Sequence, residues 1–136
     1  FSKVISMIET NGIKRDLSIL GGEPLCDENK YFVRELILKV KEKYPTIKIT
    51  IWTGYTLEEL KKCLKECDVF LFDILKNTNY LIDGKFVKEL YNPSLILRGS
   101  SNQRIFEIKN KRFMDKLVFK DITKDIESKV YSKIQD

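Results

Sequence analysis

Short runs of alternating apolar and polar residues are separated by longer stretches in which apolar residues recur every three or four positions. Ile47, Ile49 and Ile51 lie on one side of a run whose other side carries Lys48, Thr50 and Trp52. That period of two predicts a strand over 47–52. Asp16 to Gly21 reads as a second short strand, with Leu17, Ile19 and Leu20 apolar. Tyr80 to Asp83 and Leu95 to Arg98 read as two more, each followed by a glycine. Between the first two strands, Phe32, Leu36 and Val40 recur at helical spacing behind Asp27 as the expected N-cap, and Pro45 ends the helix. Thr56-Leu57-Glu58-Glu59 has the form of a capping box and opens another helix. Strands alternating with helices of this length predict an α/β fold built from parallel βαβ units. Farther on, Ile105 to Ile108 predicts a further strand. Ile122, Ile126, Val130 and Ile134 predict a C-terminal helix over Asp121 to Ile134.

Composition narrows the class. The 136 residues are 43% hydrophobic and 33% charged, an ordinary globular balance for a single domain, with about 105–136 as a C-terminal extension of it. The apolar stretch near Val69 to Phe72 is flanked by Asp68 and Asp73, too short to span a membrane. The first ten residues lack the features of a signal peptide. Three cysteines make no disulfide framework, and a reducing, cytoplasmic setting is expected. The net charge of +5 comes from lysines interspersed with acids, as in Lys120, Asp121, Lys124 and Asp125. Such spacing marks solvated faces and argues against a nucleic-acid partner. There is no histidine, which removes the usual general base and zinc ligand. Any demanding chemistry is therefore expected to come from a cofactor.

In parallel α/β folds, sites form where loops converge at the C-terminal ends of strands. The predicted strand ends read Gly21-Gly22-Glu23-Pro24, Thr53-Gly54-Tyr55, Asp83-Gly84-Lys85 and Arg98-Gly99-Ser100-Ser101-Asn102-Gln103. Each joins a glycine to polar groups. Glycines alone can simply terminate strands, but four such ends are what one ligand site on one rim would need. Gly21, Gly22 and Glu23 are rich in acceptors and suit a cationic amino group. A phosphate would want amide donors and a lysine.

Three segments then carry a resemblance. Leu17 to Leu25, Ile51 to Tyr55, and the block from Tyr80 to Val87 continuing through Pro93 to Gln103 resemble the anaerobic ribonucleoside-triphosphate reductase activating proteins, glycyl-radical activases of the radical S-adenosylmethionine class. The likeness covers roughly Leu17 to Ile108. It implies a partial parallel (β/α) barrel, here without its first βα unit. It implies two cofactors, S-adenosylmethionine and a 4Fe–4S cluster that cleaves it reductively, and a glycyl radical installed on the reductase. The partners implied are that reductase and a reducing electron donor. Gly21, Gly22 and Glu23 would bind the methionine amino group. Thr53 and Gly54 would lie near its ribose or carboxylate, and Asp83 and Lys85 would make ionic contacts to it. Arg98, Ser100, Ser101, Asn102 and Gln103 could serve cofactor or partner, or only a turn.

One departure stands out. The family's CxxxCxxC loop is absent from this sequence; Cys63 and Cys67 are spaced CxxxC with no third cysteine, and Cys26 stands alone. Cys63 and Cys67 share a helical face with Leu57, Leu60 and Leu64 and read as buried small hydrophobes rather than a redox pair. The expectation is that the cluster cysteines lie upstream of Phe1, so that the chain as given would be inactive. The competing reading is a degenerate, non-catalytic α/β binding module of the same fold.

Overall fold

The computed structural model describes residues 16–20, 22–109 and 117–128. Gly21, Val130 and Ile134 lie outside them. Five strands form one sheet in chain order: β1 (Leu17–Ile19), β2 (Ile49–Trp52), β3 (Tyr80–Asp83), β4 (Arg104–Lys109) and β5 (Val118–Asp121). The first three are parallel, in the register Leu17 opposite Ile49 and Thr50 opposite Tyr80. β4 runs antiparallel to β3, and β5 antiparallel to β4, so the α/β sheet is mixed.

Helix α1 (Lys30–Lys43) connects β1 to β2. It buries Val33, Leu36, Ile37 and Val40, the stripe its spacing dictates. Its N-cap is Asn29 rather than Asp27. The chain is still turning at Asp27, whose carboxylate instead pairs with Lys30 at 2.8 Å. The return from β2 to β3 uses two helices, α2 (Leu57–Lys65) and α3 (Val69–Lys76). Thr56 caps α2 with the full reciprocal box to Glu59, and Asp68 caps α3 through the Leu71 amide at 3.0 Å. The apolar faces of all three helices meet Ile49, Ile51, Leu81, Phe106 and Ile108 on one side of the sheet. Period-two alternation sends Thr50, Trp52, Ile82 and Ile105 to the other side.

Several sequence expectations need correction. Leu95 to Arg98 is not a strand: Pro93 and Ser94 turn the chain, and Leu97 adopts a left-handed φ of 62° that extended pairing cannot accommodate. Only an isolated bridge between Tyr91 and Ser100 remains there. Asp121, expected to open the C-terminal helix, instead ends β5, and the helical stretch described after it covers 123–128. Cys63 does pack against the core. Cys67, by contrast, is exposed beyond the end of α2, at a φ of 64°.

Candidate functional site

Of the sites foreseen from sequence, the described residues that follow β1, β2 and β3 lie along the C-terminal rim of these strands. The turn after β1 is held by its own side chains: Asn29 Nδ2 donates to the Glu23 carbonyl at 2.9 Å, while Leu25 drops into the core. This aims the Glu23 side chain across the rim toward β2. There Oε1 accepts the Gly54 amide at 2.6 Å, and Oε2 accepts Thr53 Oγ1 at 2.7 Å and the Leu25 amide at 2.9 Å. A carboxylate has about four acceptor positions. Three are filled from within the fold, so the group is oriented before any ligand arrives and keeps acceptor capacity toward the open side.

That open side is a cavity of about 230 Å³ lined by Gly22, Glu23, Trp52, Thr53, Gly84 and Gln103 among others. A Cβ at Gly22 would meet nothing within 4 Å, so the turn is open there. A second cavity of about 680 Å³ lies beside the first, bordered by Tyr55, Glu59, Asp83, Lys85, Asn102 and Arg104. Burial pushes the Tyr55 phenol up, and the nearby Glu23 adds to the shift.

Asp83 sits within this rim but is committed to the fold. It is 1% exposed and accepts the Leu57 amide at 2.8 Å, while Arg104 Nη2 approaches it to 2.6 Å. Arg104 also grips Glu58 at 2.7 Å, which holds the Glu58 carboxyl down at about 2. The same two carboxylates, Glu58 before Asp83, raise the Arg104 guanidinium above its usual range. Lys85, one residue past Gly84, is exposed.

The segment Arg98 to Gln103 is an internally bonded knot on the far wall. Gln103 Nε2 donates to the Gly84 carbonyl at 2.9 Å, and its Oε1 accepts the Gly99 and Ser100 amides. Ser100 Oγ donates to Asn102 Oδ1 at 2.6 Å, and Asn102 Nδ2 to the Lys85 carbonyl at 2.7 Å. Arg98 donates to the Gln103 carbonyl and pairs with Glu127. Ser101 is exposed on the turn. Of this segment, Asn102 and Gln103 border the cavities. Sequence reasoning missed Arg104, Trp52 and Phe86 as cavity neighbours. The Asp83–Arg104 pairing follows from the β3–β4 register, which no local pattern announces.

Sequence comparison places the chain in a family. The profile of the 4Fe-4S single cluster domain matches residues 1–106. The chain belongs to that family. It is also similar to the anaerobic ribonucleoside-triphosphate reductase-activating protein of Escherichia coli, at 36% identity over 108 residues, 79% of this chain and 66% of that protein. The protein of the same name from Vibrio cholerae is 38% identical over 104 residues, 76% and 63% of the two chains. That of Enterobacteria phage T4 is 36% identical over 90 residues, 66% and 51%. The match thus spans about two thirds of the length of the bacterial relatives. No solved structure is a significant match.

Among the described residues no three potential ligands gather to hold a metal, and Cys26, Cys63 and Cys67 do not converge. The described residues therefore do not furnish a cluster's thiolates. They do offer an oriented carboxylate to a cationic amino group, in a cavity that adjoins a larger one, as an amino acid joined to a nucleoside such as S-adenosylmethionine would need.

Proposed function

We propose that this protein is an activating enzyme of an anaerobic ribonucleoside-triphosphate reductase, and that the rim from Glu23 to Gln103 is its S-adenosylmethionine side. The observation that carries the reading is convergence. The three separate segments that resemble the activases, Leu17 to Leu25, Ile51 to Tyr55 and the block ending at Gln103, all contribute to one cavity, through Glu23, Gly54 and Gln103 among others. In this reading the three parallel strands belong to a partial barrel of the radical S-adenosylmethionine type.

When bound and given one electron from the reducing donor, S-adenosylmethionine would supply the hydrogen-atom abstraction that leaves a glycyl radical on the reductase. The chain's own residues bind and shield. Glu23 receives the ammonium group, and Thr53 and Gly54 keep its oxygens aimed. Trp52 and Phe86 wall the first cavity. Gln103 ties the far wall to Gly84, so the cavity keeps its width. Lys85 borders the larger cavity, where the body of the ligand would lie. The described residues contain no helix long and apolar enough to cross a membrane, and we place the protein in the cytoplasm beside its reductase and electron donor.

The test is electron paramagnetic resonance on the anaerobic reductase incubated with full-length activating protein, S-adenosylmethionine and a reductant. A glycyl radical that requires both protein and S-adenosylmethionine is the expected result. Binding of S-adenosylmethionine without any radical would select a non-catalytic binding module instead.

A further inference from the structure

The two rim cavities share two glycines, Gly54 and Gly84. Gly84 has a φ of 93°, so its backbone alone accounts for the residue. Gly54 is different. Gly84 is the only described glycine with positive φ, so nothing in the backbone at 54 demands a missing side chain. What a side chain there would meet is informative. A Cβ on Gly54 would stand 3.3 Å from Glu23 Oε1, which faces the smaller cavity, and 3.5 Å from Lys85 Cγ, which borders the larger. The space a methyl would fill is therefore the boundary between the two.

We infer that Gly54 is a specificity-determining aperture. Its bare Cα lets one elongated ligand lie across both cavities, with a cationic head at Glu23 and a larger body beside Tyr55 and Asn102. This inference rests on the S-adenosylmethionine reading above and adds the residue that decides whether a ligand longer than an amino acid is admitted. A ligand confined to the Glu23 side would not cross Gly54 and would be indifferent to a methyl there. The contact to Glu23 is tight but short of a clash, and the Gly54 amide that holds Oε1 is retained in an alanine variant. Folding should accordingly survive.

The experiment compares the full-length activating protein, as wild type and as Gly54→Ala, after circular dichroism confirms that both fold. S-adenosylmethionine is titrated by calorimetry, and L-methionine, the head alone, by ligand-observed NMR into the millimolar range. The aperture predicts that Gly54→Ala weakens S-adenosylmethionine by roughly tenfold or more while methionine changes by less than about twofold. If both ligands weaken together, the methyl acts on the Glu23 clamp and the aperture is wrong. If neither weakens, Gly54 does not limit the passage, and the aperture is again wrong. A wild-type chain that binds neither ligand removes the S-adenosylmethionine reading itself. A variant that does not fold shows that Gly54 is structural and overturns the inference.

Discussion

Thr53 Oγ1 donates to Glu23 Oε2 at 2.7 Å, joining the end of β2 to the turn that follows β1. Thr53 is buried, and the bond crosses thirty positions of sequence between the two residues. A hydrogen bond to a charged group contributes about 1.5–3 kcal/mol. Thr53→Val keeps the shape and removes the donor. It should lower unfolding free energy by about that amount in urea titration and also weaken S-adenosylmethionine. A change in neither would mean the Glu23 carboxylate needs no support from β2.

Asp83 and Glu58 share Arg104, yet their burial separates their expected effects. Asp83 is 1% exposed and holds two further amide donors, those of Leu57 and Arg104. Breaking a buried pair by removing one charge costs about 3–5 kcal/mol. Glu58 is two-thirds exposed, and such pairs contribute about 0–1 kcal/mol. Denaturant titration of Asp83→Asn and Glu58→Gln should show that ranking, and equal losses would contradict it.

The depressed Glu58 pKa sets a direction for acid. Its folded value of about 2 lies below an unfolded value near the ordinary ~4.3 for glutamate. Its contribution is therefore fully present above the unfolded value and is lost as pH falls through the folded one. Thermal unfolding followed from pH 6 downward, at roughly these values, should show a decline that Glu58→Gln makes shallower. Added salt should shrink the difference, since the pair is exposed. An unchanged slope would mean that Arg104 does not hold Glu58 in solution.

Gln103 bonds three backbone groups of two loops. Gln103→Leu would strand the Gly84 carbonyl and the Gly99 and Ser100 amides, at about 1–3 kcal/mol for each group left buried and unpaired. A lowered melting temperature together with weaker cofactor binding is expected. Full stability would show that water replaces the side chain.

What was legible in the sequence was mostly local. The capping box at Thr56 involves neighbours three residues apart, and the stripe of α1 repeats within one helix, so both follow from pattern alone. The run Val69 to Lys76 folds as α3, but it is too evenly apolar for a period to show. β5 and the antiparallel return of β4 depend on pairing across the sheet. The strand predicted at Leu95 to Arg98 failed because its apolar residues serve a bend, with the Leu97 carbonyl accepting Trp52 Nε1 at 2.8 Å. At the site, four of the motif residues, Glu23, Thr53, Gly54 and Gln103, line one cavity. The motifs gave no sign that Asp83, Ser100 and most of the polar groups after Arg98 are occupied inside the fold.

The central claim is that Glu23 presents its carboxylate to S-adenosylmethionine, and a binding isotherm tests it most directly. Calorimetry of the wild-type protein and Glu23→Ala, with exposed Glu42→Gln on α1 as a control away from both cavities, isolates that contact. Loss of one charge-assisted hydrogen bond of about 1.5–3 kcal/mol should weaken binding by roughly one to two decades in Glu23→Ala, with the control unchanged. Equal affinity in the wild-type protein and Glu23→Ala, with both folded, would contradict it.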